Sequence, residues 1–130
     1  MVDNLVSEAL NKRVWAVIGA TQNKEKFGYK VYRALKDHQY EVYPVNPFYD
    51  DIDGEKCYKD LSSLPKVPEV VDVIISPDKS EAFAREAAAL GCEFIWFQPG
   101  AESDNLINLS KNLGLKTISN VCAMFEVNRS

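Results

Sequence analysis

The stretch Val14 to Gly28 constrains this chain most. Val14-Trp15-Ala16-Val17-Ile18 is a run of five apolar residues, followed by Gly19, a polar segment and Gly28. A continuous apolar run of this length buries both of its faces, as a central strand of a parallel sheet does when helices cover it on either side. The glycine that ends the run predicts a strand-to-helix turn at the carboxyl edge of the sheet. In open α/β sheets that edge is where phosphate-bearing ligands dock, because the amides at the start of the following helix are unpaired. Gly19 allows close backbone approach and Thr21 adds a hydroxyl. The spacing is not the dinucleotide fingerprint G-x-G-x-x-G, since Ala20 and Thr21 follow Gly19 and the next glycine is Gly28. A long, glycine-poor loop carrying Lys24 and Lys26 suits a phosphate held partly by side chains. A strand, loop and helix without a ligand fits the same residues.

Several function classes fall away on composition. The 130 residues make one domain, read as residues 1–130, and no apolar run is long enough for a membrane span. The beginning of the chain has no basic segment leading into an apolar one, so the expected address is the cytoplasm. Fifteen basic residues stand against nineteen acidic ones, for a net charge of -4 without a dense basic stripe, and nucleic acid is not an expected partner. Cys57, Cys92 and Cys122 are odd in number and widely spaced, which fits neither a disulfide framework nor a structural zinc site.

Alternating strand and helix signals continue to the end. Asn4 to Lys12 carries one apolar stripe and predicts a short helix. Phe27, Val31, Ala34, Leu35 and His38 recur at helical spacing and predict a crossover helix over 27–38. His38, the sole histidine, reads as a surface residue at the helix end. Glu41 to Val45 is the second strand, ending in Asn46-Pro47. A nicotinamide-binding domain would place Asp or Glu at this tip to hold the ribose. Pro44 and Pro47 make either a rigid apolar shelf for a flat ring or the marks of a peripheral strand and turn.

Asp50 to Gly54 reads as a solvated turn, and Cys57-Tyr58 as a short strand. Ser62 to Pro65 is expected to form one helical turn. Val70 to Ile75 is another buried strand, and Asp78-x-x-Glu81 is expected to be a capping box opening a helix whose inward residues are Phe83, Ala87 and Leu90. Glu93 to Phe97 is a strand running into Gln98-Pro99-Gly100. Ser103 is the expected cap of the next helix, and Lys116 to Ser119 the last strand. Asn120 to Phe125 returns apolar side chains to the body. This alternation is that of an α/β chain with a doubly wound, mostly parallel sheet in three layers.

Taken together the strand ends resemble those of the small CoA-binding proteins, relatives of the Rossmann-like CoA-binding domain of the succinyl-CoA synthetase alpha subunit. The matching residues are Ala16-Val17-Ile18-Gly19-Ala20-Thr21, Lys26-Phe27-Gly28, Tyr43-Pro44-Val45-Asn46-Pro47, Gly54, Asp72, Trp96-Phe97-Gln98-Pro99-Gly100 and Cys122. The resemblance implies coenzyme A or an acyl-CoA lying across the carboxyl ends of the strands. Gly19, Ala20 and Thr21 with Lys26, Phe27 and Gly28 would face the phosphates. Val45, Asn46 and Pro47 would flank the adenine end, and Ser76 and Pro77 would line the way to the pantetheine, with Gln98 nearby. The chain departs from the family pattern at Phe48, where a basic residue is frequent, and at Val121, where an arginine is frequent before the final cysteine. Cys122 is then either a buried core thiol or a thiol able to pair with that of CoA.

No histidine, carboxylate pair or serine or cysteine with an adjacent base gathers in the expected groove, so the expectation is a binding module without chemistry of its own. The other expectations are an NAD(P)-dependent oxidoreductase or nucleotide sensor, and a protein-interaction domain with a vestigial pocket. A protein partner or a homo-oligomer stays open.

Overall fold

The computed structural model describes residues 2–129. Five parallel strands form the central sheet: β1 (Val14–Ile18), β2 (Glu41–Val45), β5 (Val70–Val73), β6 (Phe94–Phe97) and β7 (Lys116–Ile118), in the order β2-β1-β5-β6-β7. A small antiparallel hairpin, β3 (Asp51–Ile52) and β4 (Glu55–Lys56), follows β2. The helices are α1 (Val2–Leu10), α2 (Phe27–Asp37), α3 (Glu81–Leu90), α4 (Asp104–Asn112) and α5 (Ala123–Asn128).

The period of two along each strand sorts side chains onto two faces. Trp15, Val17, Val70, Phe94 and Trp96 pack with Val31, Tyr32 and Leu35 of α2, Val6 and Ala9 of α1 and Ala123 and Val127 of α5. Ala16, Ile18, Val71, Val73, Ile95 and Phe97 pack on the other face with Ala84 and Ala87 of α3 and Leu106 of α4. Both indoles find carbonyls: Trp15 donates to Lys12 at 2.8 Å and Trp96 to Val121 at 2.8 Å. A buried tryptophan thus satisfies its one donor without opening the core. The strand order makes β1 and β5 neighbours whose crossovers leave toward opposite faces, α2 to one and α3 to the other. That divergence opens a crevice at their carboxyl ends.

Several expectations need correction. The segment Ser62 to Pro65 is a turn and not helix, and the amides of Leu61 and Ser62 that lead into it donate to the Glu86 carboxylate of α3, both at 3.1 Å. The capping box over Asp78 and Glu81 does not form. Pro77 opens a 3-10 turn over Pro77–Lys79, and Ser80, which precedes α3, turns its hydroxyl back to the Ser76 carbonyl at 2.9 Å. The segment after Asn120 returns Ala123 to the core as expected, and does so as a helix. Phe27 begins α2 as expected but is 57% exposed, and Ala84 takes the inward place expected of Phe83, which is only partly buried. Pro44 fits the peripheral reading: β2 is an edge strand, and the Pro44 carbonyl faces outward to accept from Tyr58 at 2.9 Å. Asp50 to Gly54 is not wholly the solvated turn expected, since Asp51 and Ile52 form β3 with Ile52 buried, and only Asp53 and Gly54, with left-handed backbone, make the tip. The strand expected at Cys57-Tyr58 lies instead at Glu55–Lys56, and Tyr58 makes a single bridge to Val45.

Candidate functional site

The turn after β1 is built on two glycines with different duties. Gly19 has φ +100°, and a Cβ there would stand 3.0 Å from the Ile75 side chain. Gly28, in the first turn of α2, lies so close to the preceding loop that a Cβ would meet the Gly19 carbonyl oxygen at 2.1 Å. The helix therefore starts hard against the turn, and its first residues lie at the crevice, where the leading amides of a helix have no partner within it. Lys26 precedes α2 with extended backbone and without a side-chain cap, and no acidic residue lies in the helix's first turn. The positive end of the helix dipole is left open to an anion, with the Lys26 side chain beside it.

Asn46 and Thr21 hold this edge together. Asn46 donates from Nδ2 to the Ala20 carbonyl at 2.8 Å and accepts the Phe48 amide at 2.9 Å, joining the end of β2 to the end of β1. The Thr21 hydroxyl lies 2.9 Å from the Tyr49 hydroxyl and accepts the Asn23 amide at 3.2 Å. Both side chains serve as braces, with their polar atoms already engaged.

Two cavities run along the carboxyl edge. One, of about 680 Å³, is lined by Gly19, Thr21, Lys26, Gly28, Asn46 and Phe48, with Glu25, Tyr49 and Ile75 completing its walls. The second, of about 260 Å³, is lined by Gln98, Pro99, Gly100 and Cys122. Phe27 and Ile74 line both, so the two cavities adjoin there, and together they form a groove along the edge that narrows at these residues. Its far end is fixed by Gln98, which is buried: Oε1 accepts the Ala123 amide at 2.8 Å and Nε2 donates to Cys122 Sγ at 3.3 Å. One amide side chain thus sets both the start of α5 and the position of the thiol.

The expected residues divide accordingly. Gly19, Thr21, Lys26, Phe27, Gly28, Asn46, Gln98 and Cys122 meet in the groove. Ala20 and Val45 are fully buried beneath it, Pro47 and Ser76 are exposed at its margins, and Pro77 lines a separate cavity between α3 and α4. Phe48, Tyr49, Ile74, Ile75, Pro99 and Gly100 were not among the expected site residues. Ile74 and Ile75 carry a readable signal, since they directly follow the strand that neighbours β1 across the crevice.

Among the described residues no cluster of three metal-ligating side chains occurs, and no helix is long and apolar enough to cross a membrane.

Residues 13–128 match the model of the CoA binding domain family. The chain belongs to that family. It is 43% identical over 65 residues to an ADP-forming acetate–CoA ligase of Methanocaldococcus jannaschii, a match that takes in 48% of this chain and 9% of the ligase. The chain therefore spans a small part of that relative's length. Among solved structures, a conserved hypothetical protein from Pyrococcus furiosus is 37% identical with a TM-score of 0.83, covering 88% of this chain and 98% of that one. A hypothetical protein from Pyrococcus horikoshii is 29% identical with a TM-score of 0.92, covering 99% of this chain and 91% of that one.

Proposed function

We propose that this CoA-binding domain holds coenzyme A or an acyl-CoA along the groove, as a binding module without chemistry of its own. The observation that carries the reading is that the two cavities lie side by side along the carboxyl edge and share Phe27 and Ile74 in their walls. One end offers what a pyrophosphate needs: an uncapped helix start, a lysine and a backbone brought close by Gly28. The other is a narrow pocket walled by Ile74, Pro99 and Phe27, which suits an aliphatic arm and its sulfur. Phosphate at one end and a thiol-bearing arm at the other is the chemical layout of CoA. The tip of β2 carries Asn46, whose amide braces the Ala20 carbonyl, and offers no carboxylate to a nicotinamide nucleotide's ribose.

The test is to purify the protein without added ligand, denature it, and identify released small molecules by mass spectrometry, then titrate CoA and NAD by calorimetry. CoA is expected to bind and NAD not. Lys26→Glu should weaken CoA by about tenfold, with a smaller salt dependence than wild type. Absence of any CoA binding overturns the reading and leaves a fold that serves a protein partner. Thioester hydrolysis or acyl-CoA formation by the purified protein, lost on Gln98→Ala, overturns the non-catalytic part alone.

A further inference from the structure

Among the described residues four large hydrophobic side chains stand exposed, Phe27, Phe48, Val67 and Phe125, and the two that line the groove are Phe27 and Phe48. They occupy different places in it. Phe27 is at the waist, touching both cavities, whereas Phe48 touches only the larger one. Phe48 is 87% exposed, so its ring contributes almost nothing to the core. Its backbone is nevertheless fixed. The Phe48 amide donates to Asn46, Asn46 is tied to Ala20, and the carbonyl of Pro47 accepts from Lys59 at 2.9 Å. A flat apolar ring on a braced backbone, left in water at the mouth of a groove, is surface held ready for a ligand. The residues of formal charge that line this cavity, Glu25 and Lys26, are neighbours at the start of α2, so the phosphates fall to that end and the ring of Phe48 is the apolar surface the same cavity offers.

We propose that Phe48 is the aromatic platform on which the ligand's heterocyclic base stacks, and that Phe27 grips the chain between base and thiol. This rests on the reading that the groove takes CoA, and it assigns the base to a side chain standing outside the folded core. Stacking of a base on an aromatic ring accounts for about tenfold in affinity when the ring is truncated. Because Phe48 lies at one end and Phe27 at the waist, truncating them has different consequences for a ligand that lacks the nucleotide.

The experiment is calorimetric titration of CoA and of 4′-phosphopantetheine, which has no base, into wild type, Phe48→Ala, Phe48→Trp and Phe27→Ala, with thermal melts as a check on folding. Phe48→Ala is expected to weaken CoA about tenfold and leave phosphopantetheine unchanged, while Phe48→Trp keeps CoA affinity. Phe27→Ala is expected to weaken both. Unchanged CoA affinity in Phe48→Ala, with wild type binding CoA normally, overturns the assignment and makes the exposed ring a contact for a protein partner. Equal losses of both ligands in Phe48→Ala also overturn it. If wild type binds neither ligand, the reading of the groove as a CoA site fails instead.

Discussion

Asp72 is the residue whose chemistry is least answered by its surroundings. It lies in β5 between Val17 and Trp96 of the neighbouring strands, fully buried, and neither carboxyl oxygen has a hydrogen-bond partner among the described residues. Burial alone pushes its pKa well above the ordinary carboxyl value of 3.8, so the folded protein keeps the proton where the unfolded chain releases it. A group with a raised folded pKa contributes stability that is complete below the unfolded value and lost as pH rises toward the folded one, at about 1.4 kcal/mol per pH unit. Asp72→Asn removes that titration. Urea midpoints between about pH 4 and pH 8 are expected to fall more steeply with pH in wild type than in the variant, and parallel curves would refute this. Cys122 is the complementary case, a half-buried thiol open to the groove, whereas Cys57 and Cys92 are buried. If its thiolate attacks oxidised CoA, a mixed disulfide forms and one CoA thiol is released. Intact mass is expected to show one CoA adduct that disappears in Cys122→Ser; an adduct surviving that substitution would place the reaction elsewhere.

The coupling of α2 to the turn after β1 is the element on which the groove depends. Gly28 permits it, and a methyl group there would have to displace backbone, since the obstructing atom is the Gly19 carbonyl. Gly28→Ala is expected to cost about 1–3 kcal/mol in stability and to weaken CoA further than that loss explains, because the helix start moves away from the phosphate position. Equal CoA affinity in a variant shown by melting to be destabilised would separate packing from binding. The same element shows what a sequence makes legible. The strand, the glycine turn and the periodicity of α2 are local, so β1 and the 27–37 helix are readable from adjacent residues; the exposure of Phe27 is not, because it depends on where the crevice lies. Helix α5 has six residues and no side-chain cap at its start, so its signal is too short to read. The capping box at Asp78 fails through Pro77, which draws three residues into a tighter turn. Phe48, Ile74 and Ile75 directly follow strand ends and are readable as edge residues, but that they share one cavity depends on the order β2-β1-β5, a non-local fact that no window of neighbouring residues contains.

At the scale of the whole molecule, the groove gathers the ends of β1, β2, β5 and β6 with the starts of α2 and α5. Those two helices pack on the same face of the sheet, yet one begins at the proposed phosphate end and the other at the thiol end, where the Ala123 amide is held by Gln98. A ligand that spans the groove must therefore steady both helix starts at once, whereas a ligand bound by its phosphates alone steadies only the first. Binding to the folded state at a ligand concentration of about one hundred times Kd adds about 2.7 kcal/mol, which raises the melting temperature of a domain this size by roughly 10 °C. CoA is expected to produce that rise, and NAD none. Hydrogen exchange then distinguishes the two modes of binding. With CoA, amides from Gly19 to Gly28 and at Ala123 are expected to slow together, and with inorganic pyrophosphate, which carries no arm, only the first group. Slowing confined to the first group with CoA as well would mean that the arm lies outside the smaller cavity, and the adjoining of the two cavities at Phe27 and Ile74 would then serve no ligand of this length.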